Sequence, residues 1–210
     1  MYIPEEPLLR RWVSEDRLTR YYAARESTTE LYLWNAELSA AYFEIIGHAE
    51  ILLRNVFHER LAPRSQNERW YVDSQYPFTQ RARKDVDTAI WRATKGGTPE
   101  RPGKVIAELS FGFWRFLLGT HYAATVWPKI SPGFSGLPRH LRNRSELEAA
   151  ATRVNDLRNR IAHHEPVFHR FPEQYLADIY LIAKYVDDRS ERMLRDLSRV
   201  PEILARRPPI

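Results

Sequence analysis

The chain has 210 residues, of which 43% are hydrophobic and 28% are charged, and it contains no cysteine. This length and balance favour a single globular domain, and the lack of cysteine excludes disulfides, thiolate-bound metals and a cysteine nucleophile. The net charge of +5 permits a nucleic-acid partner without requiring one, and arginine supplies 27 of the 32 basic residues. Two explanations of the arginine excess stay open, the codon bias of a GC-rich genome and the recognition of phosphate by guanidinium groups.

The N-terminal stretch MYIPEEPLLRRW lacks the apolar core that is typical of a secretory signal. The most apolar run of the chain, FGFWRFLLG, is short and is interrupted by Arg115. Because a membrane-spanning helix needs a much longer apolar run, we expect no membrane partner. These features favour a cytoplasmic protein.

The spacing of apolar residues predicts three helices in the first two-thirds of the chain. Residues 29–61 carry apolar side chains at helical spacing for many turns, and Pro63 follows the end of this pattern. A second helix is expected over 78–94, because the glycines and prolines of 95–103 would end it. A third, strongly apolar helix is expected over 104–126.

Two more helices are expected after a loop rich in glycine and proline. The first begins at Ser145, which together with Glu148 fits the S-x-x-E capping box. Because the residue before a proline resists the helical conformation, Pro166 places the end of this helix near His164. The last helix is expected over 172–197, and no segment shows the alternating pattern of a strand. The fold class is therefore predicted to be all-α.

The stretch LRNRIAHHE at 157–165 places an arginine, an amide and two histidines at the predicted end of a helix. Asn159 and His163 are four residues apart, so they share one helix face. Arg158 lies about 140° around the helix from His163, but its long side chain can swing toward the same end. In a chain with this many arginines, a histidine four to six residues after an arginine occurs about as often as chance predicts. The spacing alone therefore carries no information.

The whole string is more informative, because it resembles the end of the core of Abi-like (abortive infection) proteins, a family of the HEPN superfamily. This superfamily comprises helical ribonucleases and nucleotide-binding domains. The segment YFEIIGHAEILLRNV (42–56) resembles the first core helix of the family, and AELSFGFWRFLLG (107–119) resembles its middle segment. The resemblance covers roughly residues 30–185 and leaves 1–28 and 198–210 as extensions. It implies one domain, a HEPN-like helical bundle with additional helices.

For the RNase-active members, the resemblance implies a metal-independent endoribonuclease. RNA carries its own nucleophile, the 2′-hydroxyl, and imidazole can accept or donate a proton near neutral pH. We expect His163 to act as the acid/base and Arg158 to hold the phosphate, whose charge grows in the transition state. Asn159 would orient His163 or donate to the phosphate. His164 would assist or contact the substrate.

Glu50 and Arg54 lie four residues apart on the first core helix. Their spacing is typical of an intrahelical ion pair, and an auxiliary role near the site is the alternative. No metal site is expected, because adjacent helical residues such as His163 and His164 point about 100° apart and do not chelate one ion. No cofactor is expected either, since the chain has neither a P-loop nor a dinucleotide-binding glycine pattern.

The family resemblance also implies partners. Two copies of the motif would face each other across a two-fold axis and form one composite site, so a homodimer is expected. RNA is the expected substrate, and an antitoxin protein or a regulatory RNA is a further partner that the family allows. The alternative is a catalytically silent HEPN-like module that binds RNA, nucleotide or a protein partner.

Overall fold

The computed structural model describes residues 3–22, 27–169 and 171–209. Within these ranges the chain is all-α, because its helices are joined by loops and short 3-10 turns and no strand occurs. None of these helices is both long enough and apolar enough to cross a membrane. The α-helices are α1 Glu6–Val13, α2 Glu15–Leu18, α3 Thr28–Leu61, α4 Gln80–Thr94, α5 Pro102–Glu108, α6 Phe111–Leu117, α7 Trp127–Ile130, α8 Arg144–Ala162, α9 Pro172–Val186, α10 Asp188–Leu197 and α11 Val200–Ala205.

Helix α3 is the central element of the bundle, and it confirms the long helix predicted over 29–61. It has 34 residues and is therefore roughly 50 Å long. The Ser27 side chain accepts a hydrogen bond from the backbone N–H of Glu30 at 3.2 Å and so caps its first turn. Helices α8, α9 and α11 pack against α3, and its inner face forms much of the buried core.

Two predicted helices are interrupted in the structure. The helix expected over 104–126 is wrong as a single element, because the extended backbone of Leu109 and Ser110 separates α5 from α6. The helix expected over 172–197 is divided at Asp187, whose backbone is extended at φ −165° and ψ 144°. The Asp187 side chain accepts a hydrogen bond from the Arg189 N–H at 2.7 Å and starts α10 in a new direction.

The start of α8 also differs from the prediction, because Asn143 rather than Ser145 is the capping residue. The Asn143 side-chain oxygen accepts hydrogen bonds from the backbone N–H groups of Ser145 at 3.0 Å and Glu146 at 3.3 Å. Ser145 is thus already inside the helix. Glu148 does not complete a capping box; it forms an ion pair with Arg144, one turn earlier.

Contacts on two sides fix α8, which carries the motif. Arg153 forms a bidentate ion pair with Asp178 of α9, at 2.6 and 2.7 Å, and the Asp178 carboxylate is buried. On the other side, α6 approaches closely at Gly112, where an added Cβ would lie 3.3 Å from Oδ1 of Asn155. These contacts hold the helix in one position and thereby fix where its last turn, with the motif, lies.

The two extensions outside the family resemblance pack onto α3. The Tyr21 side chain is buried, and its hydroxyl accepts a hydrogen bond from Nδ2 of Asn35 at 3.0 Å. At the other end of the chain, Nε1 of Trp34 donates to the carbonyl of Ile203 in α11 at 2.8 Å. Described residues from both extensions therefore contribute to the core.

Candidate active site at the end of helix α8

Helix α8 ends in a Schellman motif that is built from the histidines themselves. The backbone N–H of Glu165 donates to the carbonyl of Arg160 at 2.8 Å, and the N–H of His164 donates to that of Ile161 at 2.9 Å. His163 is the C-cap, and His164 adopts φ +55°, the left-handed conformation that favours glycine. This Schellman motif turns the chain sharply after α8, and both histidines are exposed.

Substituting His164 with glycine should stabilise the fold by roughly 0.5–1 kcal/mol, because glycine adopts a positive φ without a Cβ penalty. Equilibrium urea unfolding of the variant and the natural protein measures this difference. The matched control is His163→Gly at φ −92°, where the extra chain entropy of glycine should destabilise the fold. Equal destabilisation by both substitutions would contradict strain at His164.

A cavity of about 600 Å³ lies between α3 and the last turn of α8, and we call it the α3–α8 cavity. The residues of α8 and of the turn after it that line this cavity are Arg158, Ile161, Ala162, His164 and Glu165. Helix α3 contributes Phe43 among others, and the segment before it contributes Arg17 and Tyr21. The lining is mostly apolar with a few polar groups, as in many ligand-binding sites.

A second cavity of about 360 Å³ adjoins the first, and we call it the histidine cleft. His163 and His164 of the LRNRIAHHE motif line this cleft on one side. Arg17 and Arg20 of the N-terminal segment, residues 14–21, line it on the other. Arg17 and His164 line both cavities, so the two spaces are neighbours. The His164 side chain thus borders both the mostly apolar α3–α8 cavity and the more polar histidine cleft.

The guanidinium of Arg158 lies near an acidic neighbour from α3. Burial raises the pKa of the Glu50 carboxyl, while Arg158 and, to a smaller extent, Arg54 act in the opposite direction. Among the described residues, Glu50 forms no ion pair with Arg54, so the intrahelical pair suggested by their spacing is not made. Glu50 instead interacts electrostatically with both Arg158 and Arg54 without an ion pair to either of them among the described residues.

The structure places the six sequence-predicted residues unequally. Arg158 and His164 share the α3–α8 cavity, whereas His163 lines only the adjoining cleft. Asn159 is exposed and lines neither space, although its backbone carbonyl accepts the N–H of His163 at 3.0 Å. The described part of the chain holds no group of three or more acidic, histidine or cysteine residues that could bind a metal ion.

Sequence reasoning missed the residues of the N-terminal segment. Arg17, Arg20 and Tyr21 complete the walls of the two cavities, yet they lie in the extension that carries no family resemblance. Their only sequence signal is the spacing of two arginines three residues apart, which is common in an arginine-rich chain. Tertiary packing alone brings them to the motif.

Comparison of the chain with protein-family models, with curated proteins and with solved structures finds no match. The resemblance to Abi-like proteins therefore rests on the three sequence segments quoted above. The ribonuclease activity that this resemblance implies is a proposal, which an RNA cleavage assay can test.

Proposed function

We propose that this protein is a metal-independent endoribonuclease of a phage-defence (abortive infection) or toxin–antitoxin type system in the cytoplasm. The observation that supports this best is the arrangement of Arg158 and the two histidines around adjoining, open cavities. Arg158 makes no ion pair with any carboxylate of the described residues, so its guanidinium is available to a phosphate.

The chemistry follows from the side chains. An imidazole accepts the proton of the 2′-hydroxyl, and the resulting oxygen attacks the adjacent phosphorus. The bond from phosphorus to the 5′-oxygen breaks, and an imidazolium donates a proton to that leaving oxygen. Arg158 stabilises the charge on the phosphate oxygens, and His163 is the proposed acid/base, with His164 assisting. The products are a 2′,3′-cyclic phosphate and a 5′-hydroxyl.

Two proton transfers at one site call for an acid and a base, and a homodimer with facing motifs would bring two copies of His163 together to supply them. Helix α3 carries a face on which a second copy could pack beside the motif. Phe43 and Ile51 are 52% and 43% exposed, and a side chain added at Gly47 between them would meet no atom within 4 Å. Phe43 and Ile51 lie two turns apart on this face, so a second copy packed there would bury both side chains. An antitoxin or a regulatory RNA could occupy the same face to restrain the enzyme.

The proposal is tested by incubating the purified protein with single-stranded RNA in EDTA and identifying the product ends. We expect a 5′-hydroxyl end, which polynucleotide kinase labels without prior phosphatase treatment. We expect the other product to end in a 2′,3′-cyclic phosphate, which phosphatase removes only after the ring has been opened. Products with 5′-phosphates, or cleavage that EDTA abolishes, would contradict the proposed chemistry. RNA binding without cleavage would favour the silent binding module instead.

A further inference from the structure

The N-terminal segment, residues 14–21, reaches the motif through two buried anchors. Leu18 is fully buried and Tyr21 is 2% exposed, and the Tyr21 ring contacts Phe168 at a centroid distance of 5.3 Å. Arg17 and Arg20 each precede an anchor by one residue, and both are exposed. Being three residues apart in short helical turns, they share one side of the segment.

The anchors turn this side toward the histidines. Arg17 and Arg20 line the histidine cleft together with His163 and His164, and Arg17 also lines the cavity that contains Arg158. Both arginines act on Tyr21, since they lower the pKa of its hydroxyl while burial, the larger effect, raises that pKa to about 12. A row of cations therefore runs from the α3–α8 cavity across the cleft.

Neither acidic residue at the cleft forms an ion pair with Arg17 or Arg20 among the described residues. Asp16 and Glu165 line the cleft, but Glu165 already pairs with Arg160 at 3.0 Å. Within the described residues, neither Arg17 nor Arg20 forms an ion pair or a hydrogen bond with a carboxylate. Two exposed guanidiniums without such a partner, facing a pair of histidines, are typical of an anion-binding surface.

We propose that Arg17 and Arg20 form a second phosphate-binding position, which holds the phosphate next to the scissile one in a single-stranded RNA substrate. This inference rests on the proposed function, in which Arg158 holds the scissile phosphate. RNA carries one phosphate per nucleotide, so a strand seated at Arg158 presents its next phosphate one nucleotide away, where Arg17 bridges the two spaces. The N-terminal extension thus selects for substrates longer than a dinucleotide.

The double variant Arg17→Ala/Arg20→Ala tests this directly, with Arg189→Ala/Arg192→Ala as the control. The control removes two exposed arginines at the same spacing from α10, away from both cavities. Cleavage is compared on a dinucleoside monophosphate and on the same dinucleotide with a further phosphate on its 5′ or 3′ side. Because Leu18 and Tyr21 are kept, circular dichroism should show the same thermal transition for all variants.

We expect the Arg17/Arg20 variant to raise KM for the substrate with the extra phosphate by about tenfold with kcat retained, and to leave the dinucleoside monophosphate unaffected. The control should change neither. An equal loss on both substrates, or no difference from the control, would overturn the inference.

A binding measurement separates this inference from the proposed catalysis. Binding of a 2′-O-methyl oligonucleotide, which lacks the nucleophile, is titrated against salt for the natural protein and both variants. In the Arg17/Arg20 variant, the slope of log K against log salt should be less steep than in the natural protein, by about 0.7 for each phosphate contact that is lost. In the control variant the slope should be the same as in the natural protein. If the slopes differ as expected but the natural protein cleaves no RNA, the proposed function fails and the phosphate-binding position stands. If it cleaves RNA and the slopes are identical, the phosphate site fails alone.

Discussion

Replacing His163 with alanine is expected to lower RNA cleavage by about 10²- to 10⁴-fold, the usual contribution of a positioned acid or base. The side chain is exposed at the C-cap of α8, and its backbone N–H keeps its bond to Asn159, so the fold should tolerate the change. The loss should fall on kcat, because an acid/base acts in the transition state rather than in substrate binding. Single-turnover cleavage in EDTA measures it without interference from product release.

The matched control is His140→Ala, another exposed histidine that lies just before the opposite end of α8. With 19 residues, α8 spans roughly 28 Å, so His140 is far from the motif. The His140→Ala variant should cleave RNA at the same rate as the natural protein. His164→Ala should cost less than His163→Ala; the reverse order would assign the acid/base role to His164, which shares a cavity with Arg158. Full activity of both variants would place the chemistry elsewhere.

Replacing Gly136 with alanine is expected to destabilise the fold by about 3 kcal/mol or more, the range of severe overpacking. An added Cβ would lie 1.7 Å from the backbone carbonyl oxygen of Lys184 in α9, and a backbone atom cannot rotate away. The Gly136 N–H also donates to the carbonyl of Tyr185 at 3.2 Å, so the loop cannot retreat without losing this bond. Urea unfolding and the thermal midpoint should both show the loss.

Gly103→Ala is the control for this effect of size. Gly103 lies in the first turn of α5, and nothing is within 4 Å of its added Cβ. Alanine there should be neutral or stabilise the protein by about 0.5–1 kcal/mol through its higher helix propensity. Similar unfolding curves for the two variants would contradict the close approach of the Gly136 loop to α9.

The sequence predicted those parts of the fold that follow from local patterns. The periodicity over 29–61 extends through many turns, so its helix was found almost to the residue, as was the end of α8 before Pro166. The break at Leu109 and Ser110 was missed, because apolar residues continue on both sides without a glycine or proline at the break, and Ser110 alone is a weak sign of a new helix start. At the start of α8, both Asn143 and Ser145 are good caps, and the sequence does not rank them.

The candidate site likewise has one part that local sequence patterns predict and another part that they do not. The motif residues are close in the chain, and their grouping at a helix end follows from helical geometry. The cavity walls from Arg17, Arg20 and Phe43 depend on how distant segments pack, which no local pattern contains. The positive φ of His164 could not be predicted from the sequence, because few histidines adopt this conformation, whereas a glycine after a helix commonly does.

The Asn35 amide connects two of the segments that surround the histidine cleft. Its Nδ2 holds the Tyr21 hydroxyl, and its Oδ1 accepts the N–H of Val167, three residues after His164, at 2.9 Å. Because Asn35 is only 5% exposed, withdrawal of either partner would leave a buried polar group unpaired, at a cost of about 1–3 kcal/mol. The same buried amide therefore holds both the N-terminal wall and the chain after the motif, so a partner that withdraws either segment must leave one of these hydrogen bonds unmade.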